Sequence, residues 1–216
     1  MSGRFRGPDD ERNTVLKRLL TGIAMLAALT GAAWANTAPD ALVRQISSDV
    51  IDSVKADKSL QAGDIDHVIA LVDTKVMPSV NFEIMTRSAV GPKWRTATPE
   101  QRTKLEDEFK TLLVRAYSGA LTQIKDQTVQ ITKTLPVPGS DQVVVQSEVR
   151  GSGEPIKLDY RLVKDGTSWK IIDVNVAGIW LVTSYRSQFA EVTSTSGIEG
   201  LIAKLAELNK SAAGKR

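Results

Sequence analysis

The chain has 216 residues with 28 Lys/Arg and 25 Asp/Glu, a formal net charge of +3 and no cysteine. This length fits one domain with a sizeable core, and the lack of cysteine excludes disulfides, thiolate metal sites and cysteine nucleophiles. Five Lys/Arg and three Asp/Glu fall in residues 1–35, so the remainder is nearly neutral and carries no electrostatic footprint for nucleic acid.

The first 35 residues have the pattern of an export signal. Lys17 and Arg18 precede an apolar run over residues 19–29, and Ala33-Trp34-Ala35 is a small-x-small cleavage pattern. The run is shorter than the roughly 20 residues of a membrane-spanning helix. We therefore predict cleavage after Ala35 and a periplasmic mature protein if the source is a diderm bacterium, with an uncleaved anchor as the alternative.

Helical periodicity follows the signal. Apolar residues at four-residue spacing predict an amphipathic helix over residues 40–56, and a second helix starts near Asp64 and ends before Pro78. A short helix is predicted over residues 82–90. These segments alternate apolar and charged positions, so each should bury one face.

A capping box marks the start of a long helix. Thr98-Pro99-Glu100-Gln101 combines the box with proline at the first helical position. The helix that follows carries a wide apolar stripe that includes Phe109, Leu113 and Tyr117. Only a large apolar surface could cover such a stripe.

From residue 129 the period changes to two, which predicts strands over residues 129–134, 142–150, 156–164 and 169–176. The links between them are short and rich in turn residues, so the sheet should be an antiparallel meander. The fold class is α+β, with a four-stranded or slightly larger meander wrapped by several helices.

Closing helices follow the sheet. Gly178 should bend the chain into a helix that carries Tyr185 and Phe189, and Ser196-Gly197-Ile198-Glu199 is a second capping box for the last helix. Residues 211–216 read as a disordered tail.

Catalytic patterns are scarce. His67 is the single histidine, and a zinc site needs three or four protein ligands, so a solvated helix residue is the favoured interpretation. The chain has no Gly-rich phosphate loop and no Gly-x-Ser-x-Gly. We predict no catalytic residue, no metal site and no cofactor.

Apolar surface is what the chain has in excess. The inner sheet face should carry Val145, Leu158, Tyr160 and Leu162 and should oppose the stripe of the long helix. Periodicity cannot distinguish a filled core from an apolar pocket, and on pattern alone the filled core is favoured.

Several motifs follow one another along the chain: Gly91-Pro92-Lys93-Trp94-Arg95, Thr98-Pro99-Glu100-Gln101-Arg102, Phe109 with Tyr117-x-x-x-Leu121, Trp169-Lys170-Ile171-Ile172-Asp173-Val174, Gly178-Ile179, Tyr185-Arg186-Ser187-Gln188-Phe189 and Gly197-Ile198-Glu199-Gly200-Leu201. In this order the motifs resemble the MlaC/Ttg2D family of periplasmic phospholipid-binding proteins. Together they cover nearly all of the chain after residue 35. Two positions depart from the family pattern: Trp180 stands where a small polar residue is common, and Asn81 stands where many relatives have aspartate.

The resemblance implies a monomeric, non-enzymatic carrier domain over residues 36–210 whose cargo is glycerophospholipid. The partners it implies are the inner-membrane Mla ABC transporter, through its ring-forming MCE-domain subunit, and the outer-membrane MlaA–porin complex, with outer-membrane lipid asymmetry as the outcome. Two other classes stay open: a binding protein for a small hydrophobic solute, and an adaptor with a filled core that works by protein docking.

The resemblance also locates the expected site. Acyl-chain contacts are predicted for Phe82, Phe109, Leu113, Tyr117, Val145, Leu158, Tyr160, Leu162 and Val174. The pocket mouth or a docking surface is predicted to include Trp94, Arg95, Trp180, Tyr185 and Arg186.

Overall fold

The computed structural model describes residues 37–213. The predictions for the export signal fall outside these residues. Three helices open the described chain: α1 Pro39–Ala56, α2 Lys58–Gln61 and α3 Ile65–Leu71. The short α2 was not predicted, and it forms because the Asp57 carboxylate accepts the backbone N–H of Ser59 at 2.7 Å.

The predicted second helix changes its winding before it ends. After α3 the chain continues as a π-helix over Val72–Val76 and a 3-10 helix over Met77–Ser79. The backbone N–H of Asn81 then donates to the carbonyl of Ile171 at 2.9 Å. This bond fastens the end of the helical segment to the sheet.

The next helices match the predicted boundaries. They are α4 Phe82–Val90, a 3-10 helix over Gly91–Thr96, and α5 Pro99–Leu121. The capping box of α5 is confirmed: the N–H of Gln101 donates to Thr98 Oγ1 at 3.2 Å, and the N–H of Thr98 donates to Gln101 Oε1 at 2.9 Å.

The predicted meander is confirmed and has one further short strand. The strands are β1 Thr128–Pro136, β2 Gln142–Arg150, β3 Ile156–Asp165, β4 Ser168–Val176 and β5 Ile179–Trp180, paired antiparallel in the order β1-β2-β3-β4-β5. Ala177 and Gly178 join the last two strands with φ angles of 51° and 95°, the signature of a tight hairpin turn. Sequence periodicity missed β5 because two residues are too few to show alternation.

A kinked helix, α6 Leu181–Ala213, closes the chain. It breaks at Gly197, whose φ of 65° and ψ of −164° are not helical. The predicted pairing within the second capping box gives way to a tertiary contact, in which Glu199 Oε1 accepts Gln101 Nε2 at 2.7 Å. Helix α6 continues to Ala213, so the first residues of the predicted disordered tail, 211–213, are helical. None of the helices in residues 37–213 combines the length and apolar character needed to cross a bilayer.

The first helix, rather than the long one, covers the centre of the inner sheet face. Val43 of α1 packs with Val145, Leu162 and Ile171, and all four side chains are buried. The prediction that the stripe of α5 opposes these residues is therefore wrong for this part of the sheet. Instead α5 packs with α4 and α6, where Leu105 and Phe109 are buried.

Candidate functional site

The apolar interior of the described residues is divided among clusters. The sheet cluster joins Val43 to the centre of the sheet, as above. The helical cluster joins α4, α5 and α6 around Phe82 and Phe109. A further cluster joins α1, α2, α3 and α5 around Val54 and Val114. Since a domain of this size ordinarily has one contiguous core, the division points to apolar surface between the clusters.

Half-buried apolar side chains lie where these clusters meet. Val174 packs against both the sheet cluster and the helical cluster, and so does Val80. Leu113 of α5 borders the helical cluster and also keeps accessible surface. A close-packed core would remove this surface from solvent. These residues therefore line the candidate site.

Tyr160 is the deepest of the accessible side chains. Its pairing partners Val145 and Val174 place it on the inner face of the sheet. Burial raises the pKa of its hydroxyl above the usual 10.0, while the hydroxyls of Ser47 and Ser147 act to lower it. The side chain nevertheless keeps accessible surface. A desolvated hydroxyl on a side chain that keeps accessible surface makes Tyr160 a candidate for contact with an apolar ligand.

Four aromatic rings pack together within the helical cluster, and we call them the aromatic cluster: Phe82, Phe109, Tyr185 and Phe189. The ring of Phe109 lies at the centre, with centroid distances of 5.7 Å to Phe82, 5.0 Å to Tyr185 and 5.2 Å to Phe189. The last two contacts are edge-on, a favourable geometry for aromatic pairs. The aromatic cluster thus joins α4, α5 and α6.

The residues predicted to contact acyl chains fall into three environments. Buried in cores are Phe82, Phe109, Val145 and Leu162; half-buried are Leu113, Leu158, Tyr160 and Val174; and Tyr117 is 39% exposed. The half-buried residues lie at the edges of the hydrophobic clusters described above. The buried group belongs to the interior of the helical and sheet clusters, and Tyr117 lies at the protein surface.

Trp94 corrects the prediction of a surface site. Its side chain is only 3% exposed and packs into the helical cluster, and the guanidinium carbon of Arg102 lies 5.3 Å from its ring centroid. The tryptophan and arginine of this motif therefore fasten the 3-10 helix to α5. Arg95, the neighbour of Trp94, is exposed, and its role at a pocket mouth or docking surface stays a prediction.

Trp180 lies on the outer face of the sheet. It pairs with Asn175, and the guanidinium carbon of Arg161 lies 4.8 Å from its ring centroid. Since Arg161 alternates with Tyr160 along β3, Trp180 is on the opposite face from the candidate site. The pocket-mouth alternative is thus wrong for Trp180, and the docking alternative stays a prediction.

Arg186 and Tyr185 are adjacent in α6 but have different surroundings. Arg186 is exposed, and its Nε donates to the carbonyl of Ser88 at 2.8 Å. This contact ties the start of α6 to α4. Tyr185 is half-buried within the aromatic cluster, and burial raises the pKa of its hydroxyl.

Asp173 organises the outer face and had no predicted role. Its Oδ1 accepts the N–H of Val174 at 2.8 Å and the N–H of Val182 at 3.1 Å, and the side chain is 7% exposed. Burial raises the pKa of this carboxyl, whereas the two N–H donors, Arg161 and Arg186 act to lower it. The signal in the sequence was a carboxylate that directly follows Ile171 and Ile172 and precedes Val174.

The remaining polar candidates are superficial. His67 is exposed, as predicted, and its Nδ1 lies 3.3 Å from the carboxylate of Asp64, which caps α3. Within the part of the chain that the structure describes, no group of three or more His, Asp or Glu side chains is placed to hold a metal ion.

A solved structure shares this architecture. The phospholipid-binding protein from Ralstonia solanacearum, solved in complex with a phospholipid, is 40% identical in sequence, with a TM-score of 0.77 over 81% of this chain and 98% of that chain. The fold and interior thus define the class: an α+β protein whose open antiparallel sheet and helices enclose apolar side chains.

Sequence comparisons identify the family within that class. The family model described as MlaC protein matches residues 44–207, and the chain belongs to this family. The intermembrane phospholipid transport system binding protein MlaC of Haemophilus influenzae is 25% identical over 191 residues, which are 87% of this chain and 89% of that protein. Toluene tolerance protein ttg2D of Pseudomonas putida is 25% identical over 185 residues, 85% of each chain.

Proposed function

We propose that this chain is a carrier of glycerophospholipid. The observation that carries the proposal is the divided core, in which deep side chains such as Tyr160 keep accessible surface. The phospholipid bound to the 40% identical Ralstonia protein supports the same cargo. A diacyl lipid has roughly thirty methylenes, and exposing each one to water costs about 0.8 kcal/mol of free energy. The lipid therefore crosses water slowly unless a protein shields its chains.

The proposed acyl-chain contacts are the half-buried residues Leu113, Leu158, Tyr160 and Val174. We assign the pocket walls behind these contacts to the buried residues Phe82, Phe109, Val145 and Leu162. Carriage of this kind needs shielding and release, and the carrier acts without catalysis.

The proposed route runs through the periplasm between two membrane complexes. The inner-membrane partner is the Mla ABC transporter with its MCE-domain subunit, and the outer-membrane partner is the MlaA–porin complex. Each partner must stabilise an emptied or open state of the carrier through contacts that differ between states. The resulting transport maintains outer-membrane lipid asymmetry, and the carrier acts as a monomer.

The proposed mature protein consists of one domain over residues 36–210, released by cleavage after Ala35. The intact mass of protein recovered from the periplasm tests this boundary directly. A mass that includes residues 1–35 would favour the uncleaved anchor.

Native mass spectrometry of the mature protein, purified without detergent, tests the cargo. The expected result is an added mass equal to that of a diacyl phospholipid, identified after organic extraction. A smaller apolar solute in the extract would point to a solute-binding protein. A bare mass that persists after incubation with phospholipid vesicles would refute the carrier and favour a docking adaptor.

A further inference from the structure

The apolar stripe of α5 runs outward from the core. Phe109 is fully buried, Leu113 is half-buried and Tyr117 is 39% exposed, and the three are spaced four residues apart on one helix face. Tyr117 therefore stands where this stripe reaches solvent. A tyrosine at this position combines an apolar ring with a polar hydroxyl.

Tyr185 of α6 reaches the same place from the neighbouring helix. Its ring centroid lies 5.0 Å from that of Phe109 and 5.6 Å from that of Phe189. Burial, and to a lesser degree Tyr117, raises the pKa of the Tyr185 hydroxyl above the usual 10.0, so this hydroxyl is protonated near neutral pH, as an ordinary tyrosine is, and can donate. Tyr185 contacts Phe109 from α6 and Tyr117 lies on α5, so the two tyrosines mark the two helices that border this end of the stripe.

The adjoining sheet surface also becomes more exposed in this direction. Val174 packs against the helical cluster, Val176 is half-buried two residues further on, and its partner Ile179 is 60% exposed. At the centre of the inner face Val43 covers the sheet. The apolar surface of the site therefore opens toward β5 and the first turns of α6.

We propose that the hydroxyls of Tyr117 and Tyr185 bind the oxygen atoms at the junction between the acyl chains and the headgroup of a glycerophospholipid. This inference rests on the proposed function. A lipid whose chains lie inside presents its ester and phosphate oxygens at the opening. Tyrosine suits this boundary, because its ring contacts apolar chains while its hydroxyl donates to an acceptor oxygen.

The three tyrosines of the chain provide a matched test. Tyr117→Phe and Tyr185→Phe each remove one hydroxyl at the proposed junction, and Tyr160→Phe removes one deep in the interior. Delipidated protein is titrated calorimetrically with dioctanoyl phosphatidylglycerol. We expect each junction variant to weaken binding by roughly two- to tenfold, the range for one hydrogen bond, and Tyr160→Phe to weaken it less.

Two further probes identify the acceptor. The diether analogue of the lipid lacks the ester carbonyls, and dioctanoylglycerol lacks the phosphate. The effect of the junction variants should vanish with the diether if they bind the carbonyls, and with dioctanoylglycerol if they bind the phosphate.

Affinities of Tyr117→Phe and Tyr185→Phe equal to that of the unaltered protein would overturn the inference, as would an equally large loss in Tyr160→Phe. If Tyr185→Phe does not fold, Tyr117→Phe decides alone. Failure of the unaltered protein to bind any of the probes would instead refute the proposed function.

Discussion

The carboxylate of Asp173 on β4 accepts the N–H of Val182 in the first turn of α6 at 3.1 Å. An acidic group at a helix N-terminus satisfies a donor that has no partner within the helix, and it interacts favourably with the helix dipole. This carboxylate comes from the sheet instead of the preceding residue. This hydrogen bond therefore fixes the start of α6, the helix that carries Tyr185, to β4.

Removing this carboxylate should destabilise the fold. Asp173→Ala leaves the N–H groups of Val174 and Val182 without their acceptor, at a cost of about 1–3 kcal/mol in the free energy of unfolding. Asp173→Asn keeps an acceptor oxygen and should cost less. Urea denaturation of both variants measures the difference, and an equal loss in the two proteins would contradict the capping role.

The same carboxyl should make stability depend on pH. Burial raises its folded-state pKa above the ordinary value of 3.8, so the folded protein holds this proton more tightly than the unfolded chain. As the pH falls through the folded pKa toward 3.8, the contribution of Asp173 to stability should increase, and as the pH rises it should be lost. The quantity to measure is the free energy of unfolding of the unaltered protein minus that of Asp173→Asn, from pH 7 to pH 4. A difference that falls on acidification has the wrong sign.

A charge at the border of the proposed pocket should abolish cargo retention. Leu158 is half-buried on the inner face of β3, and Leu158→Arg would place a guanidinium where acyl chains are expected. Val163→Arg is the matched control, since Val163 is half-buried on the same strand but on the outer face. We expect extraction to recover phospholipid from the control alone, with folded far-ultraviolet spectra for both. Unchanged lipid content in Leu158→Arg would remove Leu158 from the site.

Trp94 should matter for stability and not for docking. Trp94→Ala deletes a buried ring and should lower the free energy of unfolding by about 3–5 kcal/mol. Arg95→Ala changes the exposed neighbour and should stay within about 0.5 kcal/mol of the unaltered protein. Thermal unfolding of the two variants measures this difference in stability. A Trp94→Ala protein as stable as Arg95→Ala would argue against the role of Trp94 in holding the 3-10 helix against α5.

The hairpin between β4 and β5 offers a stabilising substitution. Ala177 has a φ of 51°, a conformation that costs an alanine about 1–2 kcal/mol, whereas Asn followed by Gly is preferred in such turns. We expect Ala177→Asn to raise the free energy of unfolding by up to about 1 kcal/mol and Ala177→Val to lower it. The midpoints of chemical denaturation should follow the order Asn, Ala, Val.

Local signals in the sequence were sufficient for much of the fold. The capping box at Thr98 sets the start of α5, and the two-residue period with short links sets the meander, because both depend on neighbouring residues. Periodicity also identified the apolar side of β3. It could not reveal that Val43 covers Val145, since an apolar face does not specify which helix packs on it.

The site was less predictable for the same reason. Phe109 and Leu113 share one stripe, yet the first is buried in the aromatic cluster and the second borders accessible space. Only tertiary packing separates them. Trp94 was misplaced because an aromatic residue beside arginine and lysine is also typical of a surface motif, and its burial depends on α5 and α6.

Val43 packs against a strand that is made about a hundred residues later, so its contact is strongly non-local. Each strand of the sheet pairs with its neighbour in the chain, and the hairpins can form as they appear. Whether the chain emerges from the ribosome or from the export machinery, α1 appears before its partner strand. Until that strand is present, the apolar face of α1 is available to chaperones and proteases, and the order in which the chain appears sets how long the N-terminal half of this protein stays vulnerable.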